Sequence, residues 1–310
     1  MERIKNKKLM FGHILALFSM LVWGTTFIAT KLLLKHFTSL EIMLFRFLLG
    51  YIALFAASPK IFKFTNVKHE LLFFIASLSG ISLYQYLENV SLETANAANV
   101  SIITSCAAFF TAILSKIFLK DEEINKFFFI GFVISISGVV MVSIKPGEST
   151  GSFGKGDLIA FFASILWGLY SVMVKIVSKH NYTSLQVTRR VMLYGTIVLV
   201  PFCIFTKADL SLGRFTDMSN LFLMLFLGIV ASAICFFTWN LAVEYLGAVR
   251  TGMYIYFNPI ITIIFGIIIL GENLTLLGGI GTIFILGGLY VSSIKKNKMC
   301  IIVNDVRLKR

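Results

Sequence analysis

A chain of 310 residues would fill about two soluble domains, but 57% of it is hydrophobic and only 14% charged, against about 45–50% and about 25% in a soluble domain. One aqueous core stops growing before it can bury that much apolar surface, so the composition indicates a polytopic membrane protein and excludes a soluble catalytic domain. The formal charge of +13 would suit a nucleic-acid binder, yet the basic residues sit mostly in short loops and at the two ends, where they orient membrane helices.

Apolar runs bounded by charge, glycine or asparagine predict ten spans, each near the ~20 residues that cross a bilayer. They lie at 11–34, 39–57, 70–89, 95–117 and 127–144, then at 157–178, 185–205, 219–243, 248–270 and 275–294. The first follows Arg3, Lys5, Lys7 and Lys8, as a signal peptide would. Its apolar part exceeds the roughly 7–15 residues of a signal core and no small-x-small site follows, so it is read as a helix. Outside the spans, eighteen Lys and Arg fall on the side of the N-terminus, including the basic stretch 1–10 and the tail 295–310. Five (Lys35, Lys145, Lys155, Lys207, Arg214) fall on the other. That asymmetry predicts a multi-pass protein of the plasma membrane with both termini cytoplasmic. Cys106, Cys203 and Cys235 lie in apolar spans and Cys300 in the tail, with no CxxC pair, so neither a disulfide framework nor a metal site is indicated.

The chain repeats itself. Trp23-Gly24 recurs as Trp167-Gly168, and at the same offset Lys31 answers to Lys175 and Lys35-His36 to Lys179-His180. Asn89 and Glu93 return as Asn240 and Glu244, and Gly131 and Gly138 as Gly281 and Gly288. One unit covers 11–144 and the other 157–294, joined by a polar linker over 145–156. Five helices is an odd number, so the second copy enters the membrane upside down. The expected fold is an all-α polytopic membrane protein, with ten transmembrane helices as two inverted five-helix repeats. Repeats of that kind hold a substrate near the midplane and expose it to each side in turn.

With these motifs the chain resembles the drug/metabolite transporter superfamily, in its ten-helix EamA-type branch, over nearly all of 11–294. The resemblance rests on the Trp-Gly pair opening each half and on the short connections between third and fourth and between eighth and ninth helices. Asn258-Pro259, the Gly271-Glu272 that closes the ninth helix, and the Gly-rich tenth add to it. It implies movement of small metabolites, often amino acids, without ATP. Ala108 stands where the second half has Pro259, so a hinge at Pro259 is expected on one side only.

Arg46 lies about seven residues inside the second span, roughly 10 Å deep. A charge there costs ~2.5–3.5 kcal/mol and needs a cavity or a partner. Three readings fit: it meets substrate, it snorkels outward, or it pairs with Glu41 one turn away. Arg189 and Arg190 stand at comparable depth in the seventh span, where one is expected to repeat Arg46; Arg190 is taken as a second substrate-binding candidate. Lys31 and Lys175, near helix ends, are expected to snorkel. Tyr84, Gln85, Tyr86, Glu88 and Asn89 close the third span, and Asn96, Asn99, Ser101, Thr104 and Ser105 open the fourth. Such a stripe lines a cavity or bonds helix to helix; Tyr86, Asn89 and Asn99 are its substrate-binding candidates. The other half offers Trp239, Asn240, Tyr254 and Asn258, with Tyr254 and Asn258 on one face and Pro259 freeing a backbone carbonyl. Trp23 and Trp167 are either pocket walls or neighbours of glycines at a helix crossing. The glycine pairs of the fifth and tenth helices are read as packing faces.

No acid falls at mid-span, which favours facilitated diffusion or exchange and leaves Glu88 and Glu244 as coupling candidates. The arginines, amides and tyrosines suggest a small zwitterion or anion, above all an amino acid. A proton-coupled carrier of drugs, nucleotides or sugars, and a non-transporting sensor or assembly partner, are the alternatives. A bilayer enzyme would need a midplane nucleophile and base, and the spans offer no midplane histidine or acid. Gly151-Ser152-Phe153-Gly154-Lys155-Gly156 has neither the first glycine nor the Ser/Thr of a phosphate loop. No cofactor is called for; the expected partners are a small-molecule substrate and the lipid bilayer, and no nucleic acid.

Overall fold

Inside a bilayer every backbone N–H and C=O must be satisfied within the segment, so apolar runs of this length become helices. The structure, a computed structural model, describes residues 2–59, 64, 66–120, 126–143, 154–180, 182–273 and 275–292. Among the described residues there are ten helical spans and no strand. They are α1 (Glu2–Leu33), α2 (Ser39–Ala57), α3 (Val67–Thr94), α4 (Ala97–Phe118) and α5 (Lys126–Ser143), followed by α6 (Lys155–Ser178), α7 (Ser184–Phe205), α8 (Met218–Leu246), α9 (Ala248–Leu270) and α10 (Leu276–Ser292). Eight are long and apolar enough to cross a membrane; α5 and α10 are shorter apolar helices. Most of the polar linker and the basic tail lie outside the described residues.

Local chemistry sets the helix starts identically in both halves. Thr38 and Thr183 each form a capping box, with Glu41 and Gln186 three residues on: the side chains of Glu41 and Gln186 accept from the cap N–H at 2.9 Å in both cases. Ser39 donates to Glu93 at 2.6 Å, and its counterpart Ser184 donates to Glu244 at 2.5 Å. Lys31 and Lys175 do not snorkel. Lys31 Nζ reaches the Ala95 carbonyl at 2.7 Å and Glu272 at 3.0 Å, and Lys175 Nζ reaches the Val243 and Glu244 carbonyls at 3.3 and 2.9 Å. Each ammonium meets the exposed carbonyls at the end of a neighbouring helix, where the helix dipole favours a cation.

The packing has a pseudo-two-fold. Contacts of α1 with α8 and α9 are answered by contacts of α6 with α3 and α4, and α2 on α8 by α7 on α3; α2 with α7, and α5 with α10, are self-paired. On the α5–α10 crossing, a Cβ at Gly138 would meet the Gly281 carbonyl and Ile285, and one at Gly281 the Gly138 carbonyl. These glycines therefore bring the two backbones together, as expected.

One expectation needs correction. The third helix runs from Val67 to Thr94 rather than over 70–89. Its polar ends escape a search for apolar runs, but Asn66 caps it by accepting from the Lys68 N–H at 2.9 Å, and Glu70 and Glu93 both find partners. A difference from an ideal helix is that the backbone is irregular at matching places in both halves, near Pro259 and near Ala108. A 3₁₀ turn over Met253–Tyr256 precedes Pro259 in α9, and in α4 the N–H groups of Ser105 and Cys106 bond to Ile102 and Ile103 at 3.2 and 3.1 Å. No proline is needed there, because the Ser105 hydroxyl takes the Ile102 carbonyl at 2.6 Å and offers the backbone an alternative partner. Wide π turns interrupt α3 over Leu78–Leu83 and α8 over Phe226–Ile234, again at corresponding positions.

Candidate functional site

Between the halves lies a cleft lined by Met20, Trp23, Thr26 and Phe27 of α1, Arg46 of α2, and Tyr84, Gln85 and Glu88 of α3. Thr104 of α4, Trp167 of α6, and Ile255 and Asn258 of α9 complete it. Residues 20, 23 and 27 follow helical spacing and share one face of α1. Tyr84, Gln85 and Glu88 follow directly on the π turn of α3, whose extra residue per turn sets the rotation of what comes after. The irregular backbone of α4 and α9 is adjacent, where a cavity can tolerate it.

Arg46 is 1% exposed. Its Nε donates to Ser232 Oγ at 2.7 Å and its Nη1 to Gln85 Oε1 at 2.8 Å, while the guanidinium lies 5.3 Å from the centre of the Phe47 ring. Neither snorkelling nor a Glu41 pair describes it, because Glu41 is held by Arg214 at 2.9 Å and by the Asp209 N–H at 2.7 Å. Glu88, 4% exposed, lies one helical turn after Tyr84, on the same face. Arg46 and Glu88 line the same cleft, and no ion pair between them is found among the described residues. Two more lining residues carry buried polar atoms that have no partner among the described residues: Trp167 Nε1, a donor, and Asn258 Oδ1, an acceptor. The free space at the centre is about 20 Å³, room for one water molecule and no solute.

The polarity comes from the first half. The capping boxes set Thr38 against Thr183 and thereby place Val191, not Arg189 or Arg190, opposite Arg46. The Asn89–Asn240 match places Cys235, Phe236 and Trp239 opposite Tyr84, Gln85 and Glu88. The second half thus answers a charged face with an aromatic one. Trp23 and Trp167 meet edge to face at 5.1 Å, Tyr84 lies 4.8 Å from Trp167, and Trp239 closes the stack behind Trp23 at 5.4 Å.

Of the residues singled out in the sequence, the structure brings Trp23, Arg46, Tyr84, Gln85, Glu88, Thr104, Trp167 and Asn258 to this cleft, with Pro259 adjoining. It puts the others elsewhere. Trp239 is fully buried behind the lining. Asn240 accepts from Tyr170 at 2.7 Å and donates to Thr188 at 2.9 Å, joining α6, α7 and α8. Asn89 donates to the Ser39 carbonyl at 3.4 Å, Asn99 to the Val142 carbonyl at 3.2 Å, and Tyr254 bonds His13 at 2.8 Å. Tyr86 is exposed, Glu244 is taken by Ser184, and Arg190 pairs with Glu70 at 2.6 Å. Tyr84 and Gln85 were read as part of the polar stripe but not as substrate-binding candidates, and Ser232, which Arg46 contacts, was missed. The 84, 85, 88 spacing at the depth of Arg46 was the available signal, but Ser232 carried none.

The EamA-like transporter family model matches the chain twice, over residues 10–144 and 154–294. An uncharacterized transporter of Archaeoglobus fulgidus is 26% identical over 92% of this chain and 98% of its own. The uncharacterized transporter YdfC of Bacillus subtilis is 26% identical over 96% and 94%. A probable terminal-alkyne amino-acid exporter of Streptantibioticus cattleyicolor is 24% identical over 84% of this chain and 87% of its own. A solved crystal structure superposes with a TM-score of 0.64 at 17% identity, covering 91% of this chain and 96% of that one; it speaks to the fold alone.

Proposed function

The chain belongs to the EamA-like transporter family, and from that premise we propose that it carries a small zwitterion, an α-amino acid or close relative, by alternating access between its halves. The observation that carries this reading is a buried arginine and a buried carboxyl that line one cleft, with no ion pair between them among the described residues. A zwitterion satisfies both. Its carboxylate bonds the Arg46 guanidinium in the charge-assisted geometry that arginine favours, and its ammonium lies at Glu88. The unpartnered Trp167 N–H and Asn258 amide oxygen supply one further donor and acceptor, and the indole walls with Phe27 and Ile255 take the side chain. With about 20 Å³ free, the cleft admits a solute only when the halves part, as an occluded carrier does. Glu88 is also the group best placed to couple transport to a proton. The exporter of S. cattleyicolor named above supports amino-acid export as the direction, and the distribution of basic residues supports cytoplasmic termini in a plasma-membrane protein.

The test is counterflow in proteoliposomes, with an ionophore holding the membrane potential at zero. Labelled amino acid should accumulate against a preloaded unlabelled pool. Removing one partner of a buried charge contact costs at least about 2 kcal/mol, so Arg46→Gln and Glu88→Gln should each weaken apparent affinity about 30-fold or more. Folded variants exchanging like the wild type would remove Arg46 and Glu88 from the binding site. Silence across all amino acids would remove the substrate class.

A further inference from the structure

A second cavity, with about 170 Å³ free, opens on the side of the bundle between α2 and α7. It lies where α2 finishes and α3 and α7 begin, on the face richer in Lys and Arg. Arg189 and Arg190 line it, and both are buried at 2% and 7% exposure. Glu70 is the acid of the lining, and it receives Arg190 Nη1 and the Tyr194 hydroxyl, each at 2.6 Å. Among the described lining residues two guanidiniums and one carboxylate therefore meet, a net positive charge. Arg189 Nη1 donates to the Ser58 carbonyl at 2.5 Å, and its guanidinium lies 5.1 Å from the centre of the Phe55 ring. Since Ser58 caps the end of α2, this charge sits at the level where the helix leaves the bilayer. Away from the arginines the cavity wall turns apolar, at Leu193 and Phe55. It continues into the exposed side chains of Ile52 on α2 and Ile197 and Val200 on α7.

A positive pocket at the membrane edge with an apolar track leading into the hydrocarbon has the shape of an amphiphile with a negative head. We propose that this cavity binds an anionic phospholipid, its phosphate at Arg189 and an acyl chain along Ile52 and Ile197. Basic pockets between transmembrane helices on the cytoplasmic side are suited to such headgroups, and the anionic lipids of that leaflet supply them. The site uses Arg190, which the central cleft does not, and it stands whatever the cleft carries. The bound lipid would tie α2 to α7, the self-paired contact between the halves.

Purified protein in neutral detergent, followed by thermal unfolding, tests this with three probes: short-chain phosphatidylglycerol, short-chain phosphatidylcholine, and inorganic phosphate. A ligand that binds only the folded state raises the melting temperature saturably. Phosphatidylglycerol should shift it by a few degrees and phosphatidylcholine should not. Arg189→Gln should abolish the shift and Arg189→Lys should restore part of it. If Arg189→Gln fails to fold, Leu193→Trp, which fills the cavity without removing a charge, should abolish the shift instead. Equal responses to the two lipids, or a response to phosphatidylglycerol unchanged in the variants, overturns the site. A shift by inorganic phosphate as large as that by phosphatidylglycerol makes the ligand a soluble phosphate and overturns the lipid.

Discussion

The indole N–H of Trp23 donates to the Ala231 carbonyl at 2.8 Å, whereas that of Trp167 has no partner among the described residues, although the rings occupy matched positions and touch. On the proposed reading that difference separates a tryptophan that holds the fold from one that meets the substrate. Trp23→Phe removes this buried hydrogen bond and should cost about 1 kcal/mol of stability. Trp167→Phe removes an unsatisfied donor while keeping the aromatic wall, so stability should hold or rise. What it loses is one hydrogen bond to the substrate, about 1 kcal/mol, seen as roughly a fivefold weaker apparent affinity. Thermal unfolding alongside counterflow checks the pair; a destabilised Trp167→Phe with unchanged transport would show that its N–H serves the fold. The sequence marked both tryptophans as equals, because the carbonyl that distinguishes them is 208 residues from Trp23.

Among the helices, α5 and α10 show why a small residue is needed at one position and idle at another. A Cβ on Gly138 would run into the Gly281 backbone, but one on Gly287 would meet nothing within 4 Å. Gly138→Val should therefore force the helices apart and destabilise by about 1–3 kcal/mol. Gly287→Ala should be neutral or mildly stabilising, since alanine is the better helix former by up to about 1 kcal/mol. Detergent melts of both variants decide it, and equal melting temperatures would refute the packing role. This contact was legible in the sequence as glycines seven apart in both halves. The π turns of α3 and α8 were not: Leu78–Leu83 and Phe226–Ile234 read as ordinary apolar runs, and nothing in residue type announces the extra residue per turn. They matter all the same, because they set which side chains of α3 face the cleft and bring Ser232 of α8 to Arg46.

At the scale of the whole molecule, symmetric packing surrounds one-sided chemistry. The contact pattern repeats about the pseudo-two-fold, yet Arg46, Gln85 and Glu88 have Val191, Phe236 and Trp239 as their counterparts. On the proposed reading the halves rock against each other as near equals while one of them carries the charged groups. Such a carrier needs a defined sidedness, and the basic loops supply the expectation. In intact cells, a membrane-impermeant thiol reagent should label Gly213→Cys, in the exposed connection between α7 and α8. It should leave Lys179→Cys, at the opposite end of α6, unlabelled. The reverse pattern would invert the topology.

Composition, hydropathy period and repetition determined by themselves that this chain lives in a membrane, as ten helices in two related sets of five. Those properties are local or add along the chain, and a bilayer rewards them segment by segment. Which polar residues share a cavity was decided only in three dimensions. Arg46 and Arg190 look alike in sequence, but Gln85 and Ser232 draw one to the central cleft while Glu70 holds the other at the bundle's flank. A buried charge is stable only beside particular partners, and those partners come from other helices whose rotation is set by turns and crossings that residue order does not display.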